Sequence, residues 1–169
     1  MAVRSASEGI LSDDNAAKRE ELIGMLQKPY WMELETVMSY IANSINPDGV
    51  RAQEIIESLQ SDVQEELGHA QQFAQRIKEL YGVVPGSLEF SAEQSYLQPP
   101  EHQTDIVHVI KGVIEAETGA IEHYNQIIEF CEGRDPVTQD MVITILRDEE
   151  GHRRLFEGFL REYKAAGLA

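Results

Sequence analysis

The chain has 169 residues, and its 30 acidic side chains outnumber its 14 lysines and arginines to give a formal net charge of −16. A chain of this length normally folds as one domain with a full hydrophobic core, and its single cysteine, Cys131, has no partner for an internal disulfide. The excess of acid makes DNA binding unfavourable, because phosphate recognition depends on cationic side chains. It suits solubility or the attraction of metal cations instead.

The sequence carries no signal for secretion or membrane insertion. Its first residues lack the apolar stretch of a signal peptide. The apolar run from Ile106 to Ile114 is interrupted by His108 and Lys111, and it is shorter than the roughly 18 residues of a membrane span. We therefore expect a cytoplasmic protein without membrane association.

The N-terminal part of the chain predicts two helical segments. Asp13 and Asp14 can cap a segment that ends near Gln27. Pro29 is expected to bend or restart the helix because it lacks an amide donor. A second segment then continues to about Ile45, before a turn of sequence Asn-Pro-Asp-Gly.

Three further helices follow that turn, with apolar residues spaced three and four apart as in a helical bundle. Their predicted ranges are about 50–81, about 104–132 with a cap at Thr104 or Asp105, and about 136–165. Residues 83–103 contain several prolines and form a long crossover. The predicted fold is all-α: residues 29–166 form a four-helix bundle of two hairpins joined by this crossover, and residues 1–28 form an N-terminal extension with a short helix.

Each of the four predicted apolar faces carries one glutamate where an apolar residue is expected. These residues are Glu33, Glu66, Glu117 and Glu149. Burying a lone carboxylate is costly, and four facing carboxylates would repel one another as anions. Two divalent metal ions would neutralise them, and imidazole nitrogens would complete the coordination.

Two histidines stand where such a metal centre needs them. Glu66 and His69 form one Glu-x-x-His pair, and Glu149 and His152 form another, each with both side chains on one helical face. Two Glu-x-x-His helices and two helices with a single glutamate supply the ligands of dinuclear carboxylate bundles. The sequence therefore predicts a dinuclear metal centre.

The two halves of the chain also repeat each other. Glu33 precedes Tyr40 by seven residues, and Glu117 precedes Tyr124 by seven. This repeat predicts an approximate two-fold axis through the metal centre. The two tyrosines are expected beside the site, donating hydrogen bonds to ligand carboxylates; a radical or electron-relay role is the alternative.

Other polar residues near these helices have a simpler interpretation. Glu35 and Glu115 point away from the predicted ligand face and are expected to be solvated or interface carboxylates. The remaining histidines, His102, His108 and His123, are expected at the surface or in packing. A role for His123 in a metal access path is the alternative.

With these motifs on residues 20–163, and most densely in Leu146-Arg147-Asp148-Glu149-Glu150-Gly151-His152, the sequence resembles the ferritin-like superfamily, in particular its bacterioferritin and Dps-like mini-ferritin branches. The resemblance implies that Glu66 and Glu149 bridge two irons, that Glu33 and Glu117 are terminal ligands, and that His69 and His152 each bind one metal. It implies a ferroxidase that oxidises Fe(II) with O2 or H2O2 and stores Fe(III) inside a hollow oligomeric shell, for iron storage and detoxification. Manganese or zinc could occupy the same ligands.

Three departures from the family pattern refine this expectation. Leu67 stands where bacterioferritins place a haem-ligating methionine, so haem is not expected. The sequence given ends 17 residues after His152, which is short for the fifth helix of 24-subunit shells and favours a 12-subunit assembly. The segment Met1 to Asp14 contains one cation, Arg4, so the resemblance does not extend to DNA coating.

Two other functions remain open at this point. The same six ligands would serve a soluble di-metal peroxidase or catalase that forms no storage shell, although the sequence lacks the Cys-x-x-Cys pairs of a rubredoxin centre. A metal-free helical interaction module with partly exposed glutamates is the other possibility. The paired motifs and the internal repeat disfavour it.

Overall fold

Four long helices make up most of the computed structural model, which describes residues 9–169. They are α1 (Ala16–Ile45), α2 (Gln53–Glu79), α3 (Ile106–Cys131) and α4 (Pro136–Ala165). Within the described range there is no strand, and the predicted all-α four-helix bundle is confirmed. Arg4 and the rest of residues 1–8, on which part of the DNA prediction rested, lie outside the described residues.

The helices pair as two hairpins, α1 with α2 and α3 with α4, joined by a crossover that contains two short 3-10 turns (Ser87–Glu89 and Ser95–Leu97). Helix α1 also packs along α3, whereas α2 and α4 contact each other less than α1 and α3 do. Among the described residues, no helix is long and apolar enough to cross a membrane.

The apolar core consists of two clusters, one towards each end of the bundle. Leu26, Phe73, Tyr124 and Ile145 belong to the first cluster, and Tyr40, Leu59, Val113 and Phe156 to the second. On every helix, the glutamate at the apolar face falls between a residue of one cluster and a residue of the other. The four carboxylates therefore lie in a polar layer between the two apolar clusters.

The predicted restart of the helix at Pro29 was wrong, because α1 runs without interruption through this residue. A proline inside a helix leaves the carbonyl four residues earlier without its amide donor. That carbonyl belongs to Met25, and Nε2 of His123 lies 3.0 Å from it. A side chain of α3 thus replaces the missing amide, and α1 crosses the predicted boundary between residues 28 and 29.

Two caps fix the starts of α3 and α4. Asp105 accepts from the backbone N–H of His108, as one of the two predicted caps, and Asp135 accepts from the backbone of Val137 and Thr138. Asp13 and Asp14 do not cap α1; they lie in a 3-10 turn (Asp13–Asn15) that precedes it.

Candidate metal centre

The six predicted site residues come together in the middle of the bundle. Their ligand atoms form two groups, within each of which the atoms lie no more than 4.8 Å apart. One group consists of Glu33, Glu66, His69 and Glu149, and the other of Glu66, Glu117, Glu149 and His152. Each group offers three carboxylates and one imidazole, and the groups share two carboxylates.

The shared carboxylates divide their oxygens between the two imidazoles. Glu66 places Oε2 3.2 Å from Nδ1 of His69 and Oε1 3.2 Å from Nδ1 of His152. Glu149 places Oε1 3.1 Å from Nδ1 of His69 and Oε2 3.4 Å from Nδ1 of His152. This is the arrangement of two carboxylates that can each bridge a pair of cations.

The other two glutamates are held by tyrosines from across the bundle. The Tyr40 hydroxyl on α1 donates to Glu117 on α3, and the Tyr124 hydroxyl on α3 donates to Glu33 on α1. Both tyrosines are fully buried. The hydrogen bonds are reciprocal, as expected from the repeat in the sequence.

Without metal, protonated imidazoles stabilise the cluster of carboxylates. Burial lowers the pKa of His69, but the carboxylates of Glu149 and Glu66 outweigh burial and raise that pKa to about 10. The same balance raises the pKa of His152 to about 12. Burial tends to raise the pKa of Glu66, but contacts with His152 and His69 lower it to about 2. Two imidazolium ions thus partly neutralise the shared carboxylates.

The terminal glutamates respond in the opposite way. Burial, followed by repulsion from Glu149 and Glu66, raises the pKa of Glu33 and of Glu117 well above the usual range. Cations placed between these carboxylates would displace the protons, because metal ligands bind in their deprotonated form.

Several polar atoms of the site have no hydrogen-bond partner. Among the described residues, four buried atoms have a charged neighbour at 3.1 to 3.4 Å but no hydrogen bond of suitable geometry: Oε1 of Glu66, both carboxylate oxygens of Glu149 and Nδ1 of His152. Unpaired buried polar atoms are rare in folded proteins and need a cause. Four carboxylates and two imidazoles are ligands that suit iron, manganese or zinc, so the residues present fit a pair of such ions.

The outward nitrogens of the two imidazoles face three acids that the sequence analysis did not single out. Nε2 of His69 lies 3.5 Å from Asp148, and Nε2 of His152 lies 3.4 Å from Glu65 and 3.8 Å from Asp62. Two signals could have found them: Asp148 and Glu65 directly precede Glu149 and Glu66, and Asp62 lies one helical turn before Glu66.

Of the two interpretations of Glu35, a solvated or an interface carboxylate, the solvated one was wrong. It is buried on α1, and its carboxylate accepts the backbone N–H groups of Glu93 and Gln94 in the crossover, at 2.7 to 3.0 Å. Glu115 is exposed, as expected. His123 is a buried packing residue through its contact with Met25, and Cys131 is buried in the core.

Comparison with known sequences identifies the family. The profile of the Ferritin family, described as the ferritin-like domain, matches residues 23–166. The chain belongs to the ferritin-like family. Two relatives support this assignment. A DNA protection during starvation protein from Pyrococcus furiosus is 32% identical over 146 residues, covering 83% of this chain and 77% of that protein. A bacterioferritin from Desulfovibrio desulfuricans is 26% identical over 151 residues, covering 89% and 80%.

Solved structures show the same ferritin-like fold. The structure of the Desulfovibrio desulfuricans bacterioferritin, which has a diiron site, matches with a TM-score of 0.75 at 25% identity, covering 90% of this chain and 85% of that one. A dodecameric thioferritin from Bacteroides fragilis, a bacterioferritin-related protein, matches with a TM-score of 0.75 at 22% identity, covering 88% and 89%. At the latter identity the likeness concerns the fold alone.

Proposed function

We propose that this ferritin-like protein is a ferroxidase that binds two Fe(II) ions per subunit as substrate, oxidises them with O2 or H2O2, and keeps Fe(III) inside a hollow shell. One iron would be held by Glu33, His69 and the two shared glutamates. The other would be held by Glu117, His152 and the same pair. The observation that carries the proposal is the division of the Glu66 and Glu149 oxygens between two imidazoles.

The chemistry needs two electrons and two protons. Two Fe(II) ions each lose one electron, and two protons complete the reduction of O2 to H2O2 or of H2O2 to two waters. The four carboxylates favour the Fe(III) product because hard oxygen ligands suit the more highly charged ion. Tyr40 and Tyr124 would hold the terminal carboxylates in place as the charge changes.

The proposal extends to the assembly and the cell. We propose a homo-oligomer, with 12 subunits favoured over 24, in the cytoplasm and without membrane or DNA association. The acidic surface supports attraction of ferrous ions and disfavours binding to a polyanion. Haem is not expected, because Leu67 has no ligand atom for its iron.

A pair of adjacent glutamates gives the sharpest test. Glu149 is buried in the site and Glu150 is exposed beside it on the same helix. Glu149→Gln should slow Fe(II) oxidation in stopped flow by more than about tenfold. Replacing a residue that only orients a metal ligand already costs about tenfold, and loss of a ligand should cost more. Glu150→Gln should match the unaltered protein.

Native mass spectrometry with metal analysis tests the storage part of the proposal. A 12-subunit or 24-subunit particle that retains many irons per subunit is expected. A monomer or dimer that binds two metals would support the di-metal peroxidase or catalase instead. Absence of bound metal after Fe(II) addition would contradict both.

A further inference from the structure

A cavity of about 660 Å³ lies between α1, α3 and the crossover. We call it the α1–α3 cavity, and its wall includes Trp31, Met32, Gln94, Tyr96, Gly119 and His123. Pockets that hold one small organic molecule usually measure about 300–1,000 Å³. Among the described residues, the six predicted site residues are not part of its lining. The cavity is therefore a space separate from the candidate metal centre and large enough for a small ligand.

Two aromatic side chains form part of the cavity wall, and both are held in place. The ring centroid of Trp31 lies 4.8 Å from that of Tyr30 and 5.4 Å from that of Phe90. The backbone of Tyr96 packs directly on α3, where a Cβ at Gly112 would lie only 2.6 Å from the Tyr96 carbonyl oxygen. Fixed aromatic rings offer a preformed surface for the ring of a ligand.

The floor of the cavity is open at Gly119 on α3. A Cβ at this position would have the Tyr96 hydroxyl oxygen, at 4.0 Å, as its one neighbour outside the helix among the described residues. Glycine weakens the interior of a helix, and packing does not require it here as it does at Gly112. The missing side chain leaves room for a ligand beside Tyr96.

The charges around the cavity restrict the class of ligand. Its charged lining residues are four glutamates and one lysine, namely Glu35, Glu89, Glu93, Glu122 and Lys28. A ligand that carries phosphate or carboxylate groups would be repelled by this excess of acid. The side-chain amides of Gln27 and Gln126 also line the cavity and can hydrogen-bond hydroxyl groups. The lining therefore fits a neutral ring compound with hydroxyl substituents.

His123 connects the cavity with the candidate metal centre. Its ring lies edge-on to that of Tyr124, with the centroids 6.5 Å apart, and Tyr124 donates its hydroxyl hydrogen to Glu33. Since Nε2 of His123 serves the Met25 carbonyl, Nδ1 keeps a lone pair that can accept a hydrogen bond. A hydroxylated ligand in the cavity would thus lie two aromatic rings away from a carboxylate of the centre.

We propose that the α1–α3 cavity binds a neutral hydroquinone, which reduces Fe(III) in the buried centre. Both O–H bonds of the hydroquinone break, and the ring becomes a quinone. One electron passes to each of two Fe(III) ions by way of His123 and Tyr124, and the two protons pass to water at the cavity mouth. The reaction returns Fe(II), which can leave the protein or be oxidised again. This inference rests on the proposed function, because that function supplies the Fe(III).

The single tryptophan of the chain, Trp31, reports binding without any iron. Metal-free assembled protein is titrated with duroquinone, a neutral quinone whose ring positions are all blocked against addition of side chains. Trp31 fluorescence should fall to a plateau. Gly119→Leu should weaken binding by about tenfold or more, since even one methylene group changes recognition in an apolar pocket by about tenfold. Gly158→Leu, on α4 and outside the lining, should bind like the unaltered protein.

Reduction of iron tests the second half of the inference. Protein that has been loaded with Fe(III) is mixed anaerobically with durohydroquinone, and the Fe(II) formed is trapped with ferrozine. The rate should saturate with hydroquinone concentration in the unaltered protein and in Gly158→Leu. In Gly119→Leu it should be slower and rise linearly, because the reductant then meets the protein only by collision.

Several outcomes would overturn the inference. Quenching without a plateau, or equal affinity in Gly119→Leu, contradicts the binding site. A linear rate in the unaltered protein contradicts the role as reductant. Should Gly119→Leu fail to fold, crystals of the unaltered protein soaked in duroquinone decide, because an empty cavity between Trp31 and Tyr96 contradicts the site. Saturable duroquinone binding in a protein that does not oxidise Fe(II) would contradict the proposed function and leave the quinone site standing.

Discussion

Tyr40 on α1 donates its hydroxyl hydrogen to Glu117 on α3, seven residues before Tyr124, which returns the same interaction to Glu33. Each terminal carboxylate is thus positioned by the helix that carries the other. The two halves of the centre are mechanically linked through these hydrogen bonds.

Removing one hydroxyl should weaken the site without unfolding it. Tyr40→Phe should slow Fe(II) oxidation about tenfold, because groups that orient metal ligands commonly contribute that much. Tyr124→Phe should have the same effect, since the relationship is reciprocal. Tyr163→Phe is the control, because that hydroxyl donates to the Arg51 carbonyl at the end of the bundle. The rates are measured by stopped flow. Equal rates of Fe(II) oxidation in the unaltered protein and the three variants would refute the positioning role.

Metal binding should release protons at neutral pH. The pKa of His69 is raised to about 10 and that of His152 to about 12 in the metal-free protein, whereas an unperturbed imidazole has a pKa of about 6.5. Both rings are therefore protonated at pH 7 and each must lose a proton to bind Zn(II). Titration calorimetry in two buffers of different ionisation enthalpy measures the release. Identical heats in both buffers would show that the rings were already neutral.

The same shifts set the direction of the pH dependence of stability. A raised pKa in the folded state means that the imidazolium contributions are complete below about pH 6.5. They are lost as the pH rises through about 10 for His69 and about 12 for His152. Thermal unfolding of the metal-free protein should therefore move to lower temperature in alkali.

The clustering of the six residues could be predicted from the sequence, because a charged residue at an apolar helix position is visible without a structure. Glu66 and Glu149 interrupt otherwise apolar faces, and His69 and His152 follow each at the spacing of one helical turn. The burial of Glu35 was not readable, because its partners are backbone N–H groups of the crossover, which have no signature in the side chains.

Glu35 should hold the crossover in place. Glu35→Ala leaves two backbone N–H groups without their acceptor, which should cost about 1–3 kcal/mol of stability for each group that stays buried. Hydrogen exchange at Glu93 and Gln94 should accelerate, as read by mass spectrometry of peptides from the crossover. Glu115→Ala, at an exposed position of α3, should leave the exchange unchanged. Protection of both amides in Glu35→Ala would contradict the anchoring role.

A buried ion pair should stabilise the far end of the bundle. Arg76 on α2 donates from Nη2 to both oxygens of Asp135, at 3.0 and 2.9 Å, and from Nε to Thr138 at 2.8 Å. Arg76→Met strands a buried carboxylate and should destabilise the fold by about 3–5 kcal/mol. Glu79→Gln removes the half-exposed partner of Arg76, and should cost no more than about 1 kcal/mol.

Urea unfolding at fixed subunit concentration measures both changes. Arg76→Met/Asp135→Asn should recover part of the loss, because the stranded charge is gone. The pKa of Asp135 reflects burial, which raises it, and contacts with Thr138 and Arg76, which lower it below its usual value overall. Its contribution is therefore present above about pH 3.8 and lost as the pH falls through the lowered pKa. A double variant less stable than Arg76→Met would contradict the stranded-charge explanation.

The continuity of α1 could not be predicted from the sequence around Pro29. The donor that replaces the missing amide is His123, which lies 98 residues along the chain from the Met25 carbonyl. His123 can donate to Met25 only in the form that carries hydrogen on Nε2, and burial lowers the pKa of this ring, which keeps it neutral. Pro29 and His123 are thus one structural unit split between two helices. A residue other than proline at position 29 would supply the backbone N–H for the Met25 carbonyl, and His123 would no longer be needed as its donor. We therefore expect relatives of this protein to replace Pro29 and His123 together.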